Sequence, residues 1–152
     1  MSIDQTKLNH IFLAEDDADD RSFFEDALKE IGIPTQLTLA NDGLELMRNL
    51  ETLTAHPPPN VIFLDLNMPF KNGLECLKEI RETPKLKEIP VVVFSTTDNE
   101  NVVDKTYQLG ANYYICKPRS FRLLVKAIET ILTLEMWKAP QPPKEKFVLV
   151  IA

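Results

Sequence analysis

The sequence predicts an α/β domain built on a parallel five-stranded sheet with helices on both faces. Short apolar runs alternate with stretches in which apolar residues recur at helical spacing. The runs are apolar at successive positions, which is typical of strands covered on both faces. The chain has 152 residues, of which 44% are hydrophobic, and this suits one domain with a substantial core.

Each element of this fold has its own signal in the chain. We predict strands at residues 11–14, 35–41, 61–64, 91–94 and 113–116, and helices at residues 19–32, 43–54, 73–82, 98–109 and 120–136. Gly32 and Pro34 end the first helix, and Thr97 or Asp98 is expected to cap the fourth. His56–Pro59 is expected to be a loop. Right-handed crossovers and this length favour the flavodoxin-like doubly wound (βα)5 order 2-1-3-4-5.

Composition excludes several classes of protein. The net charge of −6 disfavours direct nucleic-acid binding, which needs a basic face. No apolar run approaches the roughly 18 residues of a membrane span, and the N-terminus lacks a signal-peptide apolar region. We therefore expect a cytoplasmic protein without membrane contact. Cys76 and Cys116 are expected to be buried reduced thiols, and the absence of Cys/His clusters argues against a zinc site.

Polar residues follow four of the predicted strands at their carboxyl ends. In the order 2-1-3-4-5 the strand order reverses between strands 1 and 3, where open α/β sheets bind ligands. Carboxylates, hydroxyls and an ammonium group should therefore meet at one edge. These residues are Glu15, Asp16 and Asp17 after strand 1, Asp65 after strand 3, Ser95 and Thr96 after strand 4, and Lys117 after strand 5.

The chemistry of this set indicates a hard cation and a phosphoryl group. Neighbouring carboxylates raise one another's pKa and stay ionised more easily around a divalent cation, and oxygen ligands suit Mg2+. Lys117 can hold Asp65 or a phosphoryl oxygen, and the Ser95 hydroxyl can donate to that group. Singly, Asp16 or Asp17 could be only a helix cap and Asp65 only a turn residue. The prediction therefore depends on the joint pattern.

The segments around these residues resemble the response-regulator receiver family of two-component signalling, over about residues 8–135. They look most like stand-alone regulators paired with phytochrome-type or hybrid histidine kinases. The matching segments are Leu13-Ala14-Glu15-Asp16-Asp17, Leu64-Asp65-Leu66-Asn67-Met68-Pro69 with Gly73, Pro90-Val91-Val92-Val93-Phe94-Ser95-Thr96, Gly110-Ala111, and Tyr113-Tyr114-Ile115-Cys116-Lys117-Pro118.

The resemblance implies a phospho-acceptor and its metal ligands. Asp65 would be the nucleophile that attacks a phosphohistidine on a histidine kinase or a histidine phosphotransfer protein. Asp16, Asp65 and the backbone carbonyl of Asn67 would bind Mg2+, and Glu15 would do so mainly through water. Only self-phosphotransfer and slow autodephosphorylation are expected, so the chain would be a signalling protein and not an enzyme.

The resemblance also implies a switch. Ser95 would bond the phosphoryl group, Lys117 would form an ion pair with it, and the Lys117–Pro118 peptide bond would be cis. Tyr114 would swing inward when Ser95 moves. The change would be read by a downstream protein target on the face formed by the fourth helix, the fifth strand and the last helix.

A few positions depart from the family pattern. Arg119 stands where many relatives carry an apolar residue, which could alter the output surface, and Ser95 replaces a more frequent threonine. Phe70-Lys71-Asn72 are expected to tune the access of water or a partner. Asn67 and Thr97 flank the site and are expected to influence phosphoryl lifetime.

Residues 137–152 fall outside the predicted receiver domain, residues 1–136. They divide into a proline-rich linker and a segment of strong strand character, residues 146–152. This segment is expected to dock on its own domain or on a second subunit, with a partly disordered tail as the alternative. A homodimer could form through this segment or through the output face.

Three other interpretations remain at this stage. A receiver-like binding module that is never phosphorylated would keep the fold without the chemistry. A magnesium-dependent aspartyl-phosphate hydrolase would want a second acid two residues after the nucleophile, where this chain has Asn67. A flavodoxin-like FMN protein would want a phosphate-binding loop after strand 1, where the acidic residues would repel phosphate.

Overall fold

The fold is a five-stranded parallel sheet, seen in a computed structural model that describes residues 9–53, 58–134 and 141–151. The strand order is β2-β1-β3-β4-β5, with every neighbouring pair parallel. This confirms the predicted topology. The strands are β1 (Asn9–Ala14), β2 (Thr35–Ala40), β3 (Val61–Leu64), β4 (Val91–Ser95) and β5 (Tyr113–Cys116).

Five α-helices cover the two faces of the sheet. One apolar cluster joins the sheet to α2, α3 and α4, and a second joins the opposite face to α1 and α5. The strands β3 and β4 are buried along their whole length, because helices lie on both sides of them. The helices are α1 (Ala18–Ile31), α2 (Gly43–Leu53), α3 (Gly73–Glu82), α4 (Glu100–Gln108) and α5 (Phe121–Thr133).

Local capping fixes where the helices beside the sheet edge begin and end. The Asp17 side chain accepts from the Asp20 amide at 2.9 Å and caps α1. Gly32, with φ +73°, ends that helix in the left-handed region, as predicted. Asn72 and Glu75 form a reciprocal capping box at the start of α3.

The prediction for the start of α4 was wrong. Asn99 caps this helix, since its side chain accepts from the amides of Asn101 and Val102. Thr97 is used differently, because its carbonyl accepts the Tyr114 hydroxyl at 2.8 Å. The last helix was predicted to end at residue 136. In the structure α5 ends at Thr133, and residues 135–136 lie outside the described part of the chain.

The two cysteines differ in exposure. Both are free thiols; Cys76 is buried, as predicted, but Cys116 is exposed. The prediction of a buried Cys116 was wrong because Cys116 is the last residue of the edge strand β5. The predicted loop at 56–59 is described only at Pro58 and Pro59, which belong to no helix or strand.

Residues 141–151, called the arm below, lie against the domain that precedes them. The predicted strand at 146–152 was mostly wrong over its described residues, 146–151: Lys144–Lys146 form a short 3-10 helix, and in that range only Val148 makes a β-bridge, to Tyr114. Residue 152 lies outside the described part of the chain. Phe147 is buried at 1% exposure. The arm thus docks on its own domain.

The described part of the chain contains no helix with the length and apolar character of a membrane span.

Candidate functional site

The site begins where β1 and β3 end side by side. Ala14 and Leu64 are register partners, so Glu15 and Asp65 leave the sheet at the same level. The Asp65 amide donates to the Ala14 carbonyl at 3.0 Å, which holds the start of the two loops together. The predicted convergence of the two acidic segments is therefore observed.

Three carboxylates meet at this edge. One oxygen from each of Glu15, Asp16 and Asp65 lies within 4.8 Å of the others. Glu15 and Asp65 are buried, at 2% and 4% exposure, while Asp16 is exposed. Oxygen donors at this spacing fit a hard divalent cation. Asp17 is used otherwise, as the cap of α1.

Lys117 provides the positive charge of the site. Its Nζ lies 2.5 Å from Glu15 Oε1, 3.0 Å from Asp20 Oδ2 and 3.5 Å from Asp65 Oδ2. It also lies 5.9 Å from the centroid of the Phe94 ring. Sequence reasoning missed Asp20, which lies within one turn of the predicted acidic run. Helical spacing from Asp16 and Asp17 was the signal that could have found it.

Burial and crowding set the charges here. Burial raises the pKa of Glu15 to about 7; the hydrogen bond from Lys117 opposes this shift and the Asp65 charge adds to it. Burial lowers the pKa of Lys117, but hydrogen bonds to Glu15 and Asp20 and the charge of Asp65 raise it above its usual range. One ammonium group thus faces several carboxylates, and a divalent cation would restore the balance of charge.

The two predicted switch residues meet at Thr97. The buried Ser95 Oγ accepts from the Thr97 amide at 3.3 Å, and the Tyr114 hydroxyl donates to the Thr97 carbonyl at 2.8 Å. Tyr114 is fully buried, so its ring already lies inside the domain. Burial raises the pKa of Tyr114 to about 12, which keeps its hydroxyl a donor at neutral pH.

The loop from β3 to α3 is closely held against Asp65. A Cβ on Gly73 would lie 2.3 Å from the Asp65 carbonyl oxygen, so only glycine fits there without a backbone shift. At the loop tip the Lys71 amide donates to Pro69 O at 2.7 Å, and Phe70 has φ +67° with 81% of its surface exposed. The Asn67 amide lies 3.4 Å from Asp65 Oδ1, but the role of the Asn67 carbonyl stays a prediction.

The Lys117–Pro118 peptide bond is trans, since the described part of the chain contains no cis peptide bond. The prediction of a cis bond was wrong. The trans isomer is the ordinary one for X–Pro bonds, by about 0.5–1 kcal/mol. With this backbone Lys117 still reaches the carboxylates of Glu15, Asp20 and Asp65.

Comparison with known proteins identifies the family. The model of the response regulator receiver domain matches residues 11–129, which contain every side chain of the site. This chain is a response regulator receiver domain. The prediction from the sequence motifs is thereby confirmed.

Relatives of this receiver include phytochrome response regulators. Response regulator Rcp1 from Synechocystis sp. is 40% identical over 124 residues, which cover 80% of this chain and 84% of that protein. The phosphorylated cyanobacterial phytochrome response regulator RcpA superposes with a TM-score of 0.76 at 35% identity, covering 90% of this receiver and 98% of RcpA. The Mn2+-bound form of Rcp1 gives 0.74 at 37% identity, covering 89% and 99%.

Proposed function

We propose that this receiver accepts a phosphoryl group on Asp65 from the phosphohistidine of a histidine kinase or phosphotransfer protein. One observation carries the proposal: the buried Asp65 carboxylate lies beside the carboxylates of Glu15 and Asp16 and beside Lys117, whose Nζ is 3.5 Å from Asp65 Oδ2. Receiver domains in general interact with such donors and with downstream targets.

Besides the phosphohistidine donor, the transfer needs only a proton from solvent. An Asp65 carboxylate oxygen bonds to phosphorus while the bond from phosphorus to the histidine nitrogen breaks. The electron pair of that bond stays on the imidazole, which leaves neutral after taking a proton from solvent. Such a transfer depends on in-line positioning and on charge stabilisation more than on covalent chemistry by the protein.

Mg2+ is the cofactor that this donor set would hold. Asp16, Asp65 and the Asn67 carbonyl are its proposed ligands, with Glu15 acting through water. When bound, the cation neutralises charge on the transferring group. Support comes from the three clustered carboxylates and from a relative, Rcp1, whose structure is of a Mn2+-bound form.

The remaining polar residues stabilise the product and transmit its formation. Lys117 forms an ion pair with the new phosphoryl oxygens, and Ser95 turns its hydroxyl to donate to them. Because Ser95 Oγ contacts the Thr97 amide, this movement reaches the Thr97 carbonyl and the Tyr114 hydroxyl bound to it. The shift is read on the face of α4, β5 and α5 by a downstream protein. A homodimer through that face or through the arm, and a cytoplasmic location, stay predictions.

Incubation with acetyl phosphate and Mg2+, followed by intact-mass measurement, tests the proposal. We expect one phosphoryl adduct per chain, lost on addition of EDTA before the donor and absent from Asp65→Asn. Asp17→Asn is the matched control, since this residue caps α1, and it should keep the adduct. An adduct that persists in Asp65→Asn, or none in the wild-type chain, would contradict the assignment.

The hydrolase and the unphosphorylated binding module predict different outcomes. A hydrolase would release inorganic phosphate over many turnovers, whereas a switch accumulates a stoichiometric acyl phosphate. A module that is never phosphorylated would give no adduct at any donor concentration. Intact mass and a phosphate-release assay on the same sample separate the three.

A further inference from the structure

The arm is held against α4 and the turn before β5 by specific polar contacts. The Gln141 side-chain amide donates to the carbonyls of Tyr107, at 2.7 Å, and Ala111, at 2.9 Å. The Tyr107 hydroxyl donates to the Pro142 carbonyl at 2.8 Å, and Lys144 pairs with Asp104 at 3.0 Å. These contacts give the arm a defined register on the domain.

Phe147 is the buried anchor of the arm. Its ring meets Tyr107 edge-on at 5.0 Å between centroids and lies 6.2 Å from the Tyr114 ring. The backbone on either side is tied to the same tyrosine: the Tyr114 amide donates to Phe147 O at 3.1 Å, and the Leu149 amide donates to Tyr114 O at 2.9 Å. The arm therefore fixes both the backbone and the ring of Tyr114.

A short series of contacts joins this anchor to the phosphorylation site. Tyr114 donates its hydroxyl to Thr97 O, and the Thr97 amide donates to Ser95 Oγ. The Lys117 amide donates to Ser95 O at 2.9 Å, so the same β4 residue also meets the backbone of the site lysine. Phe147 thus reaches Ser95 through only two residues.

We propose that Phe147 is a positioning residue for phosphorylation of Asp65: it holds Tyr114 inward and thereby keeps Ser95 and Thr97 in the arrangement that receives the phosphoryl group. The inference rests on the proposed roles of Asp65 and Ser95. Truncating Phe147 leaves a void beside the Tyr114 ring into which that ring can turn. Because coupling between two sites is reciprocal, the phosphoryl group also tightens docking of the arm.

The first test measures acyl-phosphate formation in Phe147→Ala, full-length, with acetyl phosphate and Mg2+. We expect formation to slow by about fivefold or more, the lower range of coupling between linked sites. Phe147→Leu, which refills most of the space, should recover much of the rate. Val150→Ala is the matched control, because Val150 belongs to the same arm but is 88% exposed, and it should be unchanged.

Tyr107→Phe is a milder variant that distinguishes a specific effect on phosphorylation from a general loss of structure. It removes only the hydrogen bond to Pro142 and leaves the ring that packs on Phe147. A smaller slowing in the same direction is expected, with a cooperative thermal transition retained. Equal rates in the wild type, Phe147→Ala and Tyr107→Phe would overturn the inference while leaving Asp65 as the acceptor. A wild-type chain without an adduct would instead overturn the proposed function.

Hydrogen exchange tests the coupling between the arm and the Asp65 site directly. If Phe147 only stabilised the fold, exchange in the arm would not respond to a ligand at that site. With beryllofluoride and Mg2+ as the probe, exchange of the Leu149 amide should slow in the wild-type chain and stay unchanged in Asp65→Asn. Exchange that responds equally in both chains, or in neither while beryllofluoride binds, would contradict coupling between the arm and the site.

Discussion

Lys117 and Arg81 are two partly buried cations that the chain holds in different ways. Lys117 faces carboxylates, those of Glu15, Asp20 and Asp65. Within the described part of the chain, the hydrogen-bond partners of Arg81 are all neutral oxygens. These are the carbonyls of Gly110 (2.9 Å from Nε), Ile89 (2.8 Å from Nη1) and Lys87 (3.1 Å from Nη1), and Asn112 Oδ1 (2.9 Å from Nη2).

The difference separates a cation used for chemistry from one used for structure. Arg81 joins α3 to the segment before β4 and to the turn before β5, and burial lowers its pKa. Its donors are committed to three main-chain carbonyls and to the side-chain oxygen of Asn112. Lys117 sits among charges that can be exchanged, because a phosphoryl oxygen can replace a carboxylate oxygen as its partner. Removing Arg81 should therefore cost stability, and removing Lys117 should cost reactivity.

The largest effect is expected for Arg81→Ala. Four hydrogen bonds from a charged group are lost and their acceptors are left partly buried, so the free energy of unfolding should fall by about 3 kcal/mol or more. Urea unfolding followed by circular dichroism measures this. Arg81→Lys keeps the charge without the planar fork and should recover only part of the loss. A loss below about 1 kcal/mol would remove the structural half of the comparison.

Asn112 allows the comparison to be sharpened. Its Oδ1 accepts from both the Val91 amide, at 2.8 Å, and Arg81 Nη2, and the residue is 2% exposed. Asn112→Leu should lower the free energy of unfolding by about 2 kcal/mol, because both donors lose their acceptor. Asn112→Asp keeps the acceptor and adds a charged partner for Arg81, so it should lose less. Equal losses in the two variants would point to side-chain shape instead.

Lys117→Met should lower the free energy of unfolding by only about 1 kcal/mol. The pKa of Glu15 is already raised to about 7, so this carboxylate can take a proton when the ammonium group is removed. Acyl-phosphate formation should nevertheless fall at least about tenfold, through loss of charge stabilisation. Urea unfolding and intact mass on the same protein measure both. Lys117→Arg is the control that retains the charge. A variant as reactive as the wild type would remove the functional half of the comparison.

The smallest perturbation is thiol labelling, which needs no substitution. It compares the reactivity of a thiol next to Lys117 with that of a thiol in α3, the helix of Arg81. Cys116 lies beside Lys117 and is exposed, whereas Cys76 is buried in α3 and burial raises its pKa to about 12. With an aromatic disulfide reagent at pH 8, we expect one thiol to react in the folded chain and two in urea. Cys116→Ser should abolish the folded-state reaction. Rapid labelling of Cys76 would show that the α3 region opens more easily than its packing indicates.

The topology could be predicted because each strand carries its own apolar run and its own stop signal. Val61–Leu64 ending at Asp65 is a local pattern, and the order of such patterns leaves few possible sheets. That Glu15, Asp16, Asp65 and Lys117 would meet at one edge of the sheet followed from the predicted strand order. For Gly73 the sequence showed only the match to the family motif. The reason for a glycine there, its close approach to the Asp65 backbone, became visible only in the structure.

The residues that prediction missed make their contacts at long range. Asp20 meets Lys117 across 97 positions, and Arg81 meets Gly110 and Asn112 across 29 and 31. The spacing of Asp20 from Asp17 places both on one side of a helix, but the pairing of Asp20 with Lys117, like the partners of Arg81, depends on the tertiary fold. The prediction of the α4 cap was wrong for a different reason. Three adjacent polar residues were each able to cap the helix, and only the fold selects Asn99.

The separation of Asp20 and Lys117 along the chain has a consequence for synthesis on the ribosome. The acidic residues after β1 and β3 are made well before Lys117, which follows β5. Until β5 has emerged and paired with β4, a nascent chain has its nucleophile but lacks the ammonium group that balances it. The order of translation therefore delays a complete reaction centre until the fifth strand has been added to the sheet.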